Sequence, residues 1–401
     1  MFLLKLAFVL SLLNASVLSD TQLVLSPPSI PIPDSLFGMH IHQATRGTQW
    51  PPVAFSGWRM WDTHTTWADL EPAKGQWNFS LLDQLVALAE VHHVQVLMTL
   101  AGTPTWASAR PSEAPAKSPG SAAEPRDMED WHTFVRVIAS RYRGRIHEYE
   151  IWNEPNNAPF WSGKIEILAK MTNEAAKILR EVDAAIVVVS PSPTKSRGTV
   201  WLDGFVEKGG ADHVDVIGYH FYVGDAPPER IPPLVGEVQA VLAKHNIQKP
   251  IWCTEAGWAD PKPFPQEVSA GFVARSFILA WAAGISRFYW YAWDNHEWVT
   301  LEMIERDNKT VKPTGLAYET TKRWLLGATM QGCRRDPSDT WICRLSRNGA
   351  AYWIVWREQG NTQFVIPGDW KVRKVEALSG AESNASPSQS VSIGRLPVLL
   401  Q

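Results

Sequence analysis

Eight short apolar runs follow one another in order between residues 35 and 326, and helical patterns separate them. The runs are "LFGMHIH", "GWRMWD", "VQVLMTLAGTP", "IHEYEIWNEP", "AIVVVSPSP", "VDVIGYHFY", "PIWCTEAGW" and "RFYWYAWDN". A loop follows the first. The others precede stretches such as "FSLLDQLVALAEVHH" and "KIEILAKMTNEAAKILREVD", whose apolar residues recur at helical spacing. Strands alternating with helices imply a parallel sheet, and eight such units imply a closed (β/α)8 TIM barrel. The rival is an open doubly wound sheet. It needs a glycine-rich phosphate loop after an early strand, and none is visible.

After Gly327 the rhythm changes. "TWICRLSRNGAAYWIVWREQGNTQFVIP" and "WKVRKVEALSG" alternate apolar and polar residues around Asn348-Gly349 and Gly360-Asn361. This reads as a small C-terminal antiparallel β domain. The expected organisation is a leader over 1–19, a barrel over 20–326 and a β-sandwich-like accessory domain over 327–401. Trp341, Trp353 and Trp356 alternate as core residues would, so the accessory domain reads as a structural partner of the barrel, not a separate binding module. The stretch from Arg110 to Pro125 is long for an idle connection. It follows the third barrel strand and is expected on the functional face.

The leader, "MFLLKLAFVLSLLNASVLSD", is a short apolar run with one lysine, broken by Asn14 and followed by small residues. It resembles a secretory signal cleaved near Ser19, giving a secreted or periplasmic protein with no stable membrane span; an uncleaved anchor is the alternative. Export makes a disulfide between Cys333 and Cys343 possible, the other reading being two thiols on neighbouring strands. Cys253 reads as a buried packing residue. Asn78, Asn308 and Asn384 fit the glycosylation pattern. The net charge is −3 with mixed signs, so nothing suggests a nucleic-acid partner.

Barrels of this kind place chemistry at the C-terminal ends of their strands. The strand ends offer His40 and His42 (first), Arg59 (second), Thr103 and Trp106 (third), and Asn153 and Glu154 (fourth). They continue with His220 and Tyr222 (sixth), Glu255 with Trp258 beyond it (seventh), and Trp293 with Asp294 (eighth). Either glutamate alone could be a satisfied structural carboxylate. Two at facing strand ends fit the pair that retaining glycoside hydrolysis needs, about 5–5.5 Å apart. The 21 tryptophans also suit sugar binding, because pyranose rings present apolar faces to indole, although most of them belong to the core. His40 and His42 could suggest a metal. Alternate strand residues point to opposite sides, so hydrogen bonding to substrate by His40 is the preferred reading, with no metal and no cofactor expected.

"EIWNEPN" and "IWCTEAGW" resemble the acid/base and nucleophile motifs of the large retaining (β/α)8 glycoside hydrolase clan A. "WRMWDTHTTWADLEPAKGQWNFSLLDQL" and "LAGTPTWAS" resemble its second and third strand regions, over roughly residues 35 to 326. Family 39 and the Asl1-like catalytic domains look nearest. The resemblance implies an exported O-glycoside hydrolase acting on an oligo- or polysaccharide. Glu154 would be the acid/base and Glu255 the nucleophile. Asn153 would bond the substrate 2-hydroxyl, Tyr222 and Arg59 would hold the nucleophile, and Trp293 would be the platform under the sugar. His220, His40, Trp106 and Trp258 complete the expected site. A raised pKa is expected for Glu154, against the apolar wall of Trp152, and an ionised Glu255 beside Arg59 and Tyr222. A catalytically silent sugar-binding protein on the same barrel is the alternative, and the presence of both glutamates argues against it.

Overall fold

The computed structural model describes residues 23–258, 264–297, 301–386 and 388–401. The expected leader lies outside them. Eight parallel strands form the central sheet: β2 (Phe37–Met39), β3 (Gly57–Met60), β4 (Gln95–Leu100), β5 (Glu148–Ile151), β6 (Val187–Val189), β7 (Ile217–His220), β8 (Ile251–Ala256) and β9 (Ile285–Trp290). They are ordered β6-β5-β4-β3-β2-β9-β8-β7, and a parallel bridge between Val189 and Val216 joins the two ends. The sheet is therefore the expected barrel. Helices such as Met128–Arg141, Ile165–Val182 and Gln266–Ala282 pack outside it and bury faces rich in Leu, Ile, Phe and Trp.

The barrel interior is polar on its active side. Successive strand residues point to opposite sides, so Tyr149 and Ile151 of β5 turn outward into the helix layer, while Glu148 and Glu150 turn inward. Burying carboxylates costs free energy unless each is paired. Glu148 is paired with Arg287 at 2.6 Å, and Glu150 with Arg59.

The C-terminal β domain is an antiparallel sheet of β10 (Thr329–Arg335), β11 (Thr340–Arg347), β12 (Ala350–Arg357), β14 (Lys374–Ala377), β15 (Glu382–Asn384) and β17 (Val398–Leu400). A separate hairpin of β13 (Thr362–Val365) and β16 (Ser390–Ile393) covers part of one face. The sheet gains its edge strand from far away in the chain: β1 (Leu23–Leu25) pairs antiparallel with β10. Residues 23–25 thus lie in the β domain, where the sequence reading began the barrel at residue 20. A three-residue strand carries no pattern long enough to reveal its partner.

Cys333 and Cys343 sit opposite each other on β10 and β11 and are disulfide-bonded, while Cys253 is buried and free. Trp341 and Trp356 stack 5.5 Å apart on the barrel side of the sheet. Trp356 Nε1 donates to Glu229 of the barrel at 2.7 Å, and Arg275 donates to the same oxygen. The domain interface is therefore a buried polar junction set in aromatic packing.

Candidate active site

Glu154 and Glu255 come together at the C-terminal mouth of the barrel with His220 beside them. Ligand-capable atoms of the three residues all lie within 4.8 Å of one another. Local backbone explains the approach. Trp152 and Glu154 both have positive φ, 71° and 42°, where non-glycine residues are uncommon. The turn breaks strand alternation after Ile151. Trp152 swings outward and donates from Nε1 to the Phe160 carbonyl at 2.8 Å, while Asn153 stays inward. Strained backbone of this kind persists where the surroundings over-determine it, and it clusters at functional sites. On the facing side, the β7–β8 register shifts between Tyr219 and His220, so His220 pairs with Glu255 where regular spacing would pair it with Thr254. A register shift of this kind re-aims side chains. Here both His220 and Tyr222 reach the carboxylates.

Arg59 organises the floor. Its Nη1 donates to Glu255 at 2.7 Å, its Nη2 to Asn153 Oδ1 at 2.8 Å and its Nε to Glu150 at 2.7 Å. Tyr222 donates its hydroxyl to the other oxygen of Glu255 at 2.8 Å. Glu154 accepts from His220 Nδ1 at 3.0 Å and from Asn157 Nδ2 at 2.7 Å. The structure thus brings Asn153, Glu154, Glu255, Arg59, His220 and Tyr222 into one hydrogen-bonded cluster.

The protonation balance departs from the sequence expectation. Burial pushes the Glu154 carboxyl up, but the hydrogen bond and charge of His220 outweigh it and hold it below the ordinary range. Burial pushes Glu255 above its ordinary value, against the opposing charges of His220 and Arg59 and with the help of neighbouring Glu154. The reason is positional. His220 donates directly to Glu154 and lies 4.0 Å from Glu255, and Trp152, the expected apolar wall, has turned away into the helix layer.

Three other residues do not take their expected places. Trp293 is fully buried, with Trp293 Cζ3 close to Gly315, and presents no surface to a sugar. Trp258 is buried against Trp290 and Phe272, with Nε1 donating to the Ala226 carbonyl. Trp106 packs edge-on to Trp67 and donates to the Glu71 carbonyl, away from the glutamates. Among the described residues, the aromatic side chains near the glutamates and the cavity include Tyr222, Trp61 and also Tyr291. The Tyr291 hydroxyl donates to Asp62 at 2.7 Å, and its ring meets those of His40 and His42 at 5.0 and 4.9 Å. His40 Nε2 donates to the Thr254 carbonyl at 3.0 Å, which leaves Nδ1 as a buried acceptor without a partner among the described residues. Burial, aided by Arg59, keeps this imidazole neutral by lowering its pKa well below the usual value.

Beside the carboxylates opens a cavity of about 640 Å³, lined by His42, Trp61, Asp62, Lys117, Asp294 and Asn295 among others. Neither glutamate lines it. Tyr291 bonds two of its lining residues, donating to Asp62 and accepting from Asn295 Nδ2 at 3.0 Å. Of His40 and His42, it is His42 that faces the cavity, and its buried Nε2 has no partner among the described residues. Lys117 comes from the long 110–125 loop and pairs with Asp62. Arg110–Glu124 and Glu113–Ser162 bonds brace that loop. Glu150, Asn157, Tyr291 and Lys117 escaped the sequence reading. The alternation in "EYEI" was a usable signal for Glu150. For the rest there was none.

Glu154, His220 and Glu255 have the spacing of a cation site. However, Arg59, Tyr222 and Asn157 already donate to their oxygens, and a guanidinium next to the site opposes a second cation.

Residues 147–318, which carry both glutamates, match the family model described as glycosyl hydrolase catalytic core. Residues 57–142, which carry Arg59, match a β-galactosidase family model. Both matched segments of the barrel are thus similar to glycoside hydrolase models. Solved structures agree on the fold. A family 39 glycoside hydrolase from Bacteroides cellulosilyticus WH2 superposes with a TM-score of 0.72 at 18% identity, over 93% of this chain and 82% of that one. A family 39 β-xylosidase from Caulobacter crescentus gives 0.68 at 14% identity, over 94% and 97%. The catalytic domain of the family 30 xylanase C from Talaromyces cellulolyticus gives 0.63 at 12%, over 94% and 98%.

Proposed function

We propose that the protein is an exported, retaining O-glycoside hydrolase that acts on an oligo- or polysaccharide by double displacement. The observation that carries this reading is the Glu154–Glu255 pair, close together and held by opposite sets of donors. Export rests on the apolar leader over residues 1–19.

In the first step a Glu255 oxygen attacks the anomeric carbon. The glycosidic C–O bond breaks, and the proton that His220 Nδ1 shares with Glu154 passes through the Glu154 carboxyl to the leaving oxygen. Arg59 and Tyr222 fix the attacking carboxylate, so that it needs no reorganisation on attack. His220, donating to Glu154 through Nδ1, is the adjacent group able to share the acid proton. In the second step Glu154 takes a proton from water, the resulting hydroxide adds to the anomeric carbon, and Glu255 leaves as carboxylate. Asn153 is anchored through Oδ1 by Arg59 and offers its amide N–H groups to the sugar 2-hydroxyl. Tyr291 takes the place at the mouth that Trp293 does not fill. The names of the similar structures make xylosides the first substrates to try.

Proton NMR of the first product tests the reading. Retention of the substrate's anomeric configuration is expected, together with a glycosyl azide of inverted configuration from Glu255→Ala with added azide. An inverted first product in the unmutated protein would overturn it.

A further inference from the structure

The sheet of the β domain has two faces. One packs on the barrel through Cys343, Leu345, Ile354 and Trp356. The other carries Ile342, Trp353, Val355 and Leu400, and is covered by the β13–β16 hairpin and the turn that ends at Trp370. Trp353 and Trp370 stack there, 4.3 Å apart and 4° from parallel. The cover stops short of the strands at the β1 edge, and a groove of about 680 Å³ remains.

Three cations line this groove, Arg334, Arg344 and Lys371, together with Trp353 and Trp370. Strand geometry puts the arginines there. Arg334 lies opposite Ile342, and Arg344, two residues further along the same strand, lies opposite Trp353. Among the described residues none of the three cations has an ion-pair partner. Arg335, next to Arg334 in sequence, does: it pairs with Asp339. Asp369 is the single carboxylate in the lining, so the groove carries an excess of two positive charges in a chain whose net charge is −3. Like charges gathered in a concave site raise the local concentration of anions. Trp370 is half-buried, with Trp353 stacked on it and Phe364 tilted against it at 5.8 Å, and it borders the same space.

We infer that this groove binds an acidic polysaccharide, a chain of pyranose rings bearing carboxylates. The apolar face of one ring stacks on Trp370. Carboxylates of neighbouring sugars take the guanidinium forks of Arg334 and Arg344, which suit planar, bidentate partners, while Lys371 supplies a further point charge. A neutral glycan leaves three cations unanswered, and a small inorganic anion leaves the ring unused. The barrel-facing tryptophans, Trp341 and Trp356, serve the structural role expected of the domain; the outer face adds a binding role. The site is remote from the glutamates and holds the protein on a polymer whether or not that polymer is cleaved.

Gel retardation with the full chain tests this, using Glu255→Ala so that no polymer is degraded. Polygalacturonate in the gel is expected to retard the protein, less so at high salt, while neutral xylan and dextran sulfate are expected to retard it far less. Arg334→Ser with Arg344→Ser, both on the sheet surface, should weaken polygalacturonate binding by about tenfold or more. In the background with Glu255 intact, the same pair should leave kcat on an aryl glycoside unchanged. Trp370→Ala, checked for folding by its melting curve, should weaken binding as well. Absence of retardation, equal retardation by the neutral or the sulfated polymer, or an arginine double variant that binds as well as its parent would each overturn the inference.

Discussion

Arg59 Nε donates to Glu150 Oε2 at 2.7 Å inside the barrel, with both side chains wholly buried. Glu150 also accepts from Thr99 at 2.8 Å and from Ser192 at 2.6 Å. The arginine that reaches Glu255 is therefore fixed from behind by a second carboxylate on the strand that leads to Glu154. Three anchored points, Glu150, Asn153 and Glu255, set the plane of the guanidinium.

Glu150→Gln should destabilise the protein by about 3 kcal/mol at neutral pH, because breaking a buried ion pair leaves a charge only partly compensated. Burial raises the Glu150 carboxyl, but Arg59 and the hydrogen bonds overcome this and hold it below its usual value. A depressed folded-state pKa stabilises above the unfolded carboxylate value and loses that contribution as pH falls through the folded one. The gap between native and variant melting temperatures should therefore narrow in acid. A gap independent of pH would show that Glu150 acts by packing alone.

Glu255→Gln should have the opposite sign. Burial raises this carboxyl above its ordinary value, so the native protein has its full contribution from the group below the unfolded pKa and loses it as pH rises through the folded one. The variant removes that cost while Arg59 keeps Glu150. Thermal melts should place it above the native protein at pH 7 and level with it near the ordinary carboxylate range. A lower melting temperature at pH 7 would mean that the bonds from Arg59 and Tyr222 outweigh burial.

Glu154→Gln should slow glycosides with poor leaving groups by a factor on the order of 10²–10⁴, and activated aryl glycosides far less. Good leaving groups need little protonation, and both classes pass through the same intermediate. Equal losses in kcat/KM across a leaving-group series would assign the acid role to another residue.

Tyr291 and Trp293 should separate in their effects. Tyr291→Phe breaks the bond to Asp62 at the cavity wall and should raise KM by about threefold to tenfold, the worth of one hydrogen bond. Trp293→Phe should leave KM unchanged and cost on the order of 1–2 kcal/mol of stability, because it trims a fully buried ring. A KM effect confined to Trp293 would restore it as the sugar platform.

Periodicity in the sequence determined the barrel. Eight apolar runs separated by helical patterns admit few other packings, because a parallel sheet must cover both faces. The same periodicity placed Glu154 and Glu255 at strand ends, and the barrel brings those ends to one mouth. Which atoms meet there was decided by tertiary structure. The positive φ at Trp152 and the register shift at His220 are departures from regular strands, which a periodic pattern in the chain does not announce. They turn Trp152 away, aim His220 at Glu154 and so reverse the expected order of the two carboxyl pKa values. Trp293 read as a platform because a strand-end tryptophan is apolar in either role. Only the fold shows that its ring lies in the core and that Tyr291 faces the cavity wall. The pairing of β1 with β10 joins residues some three hundred positions apart, and contacts at that separation leave no periodic trace in the chain.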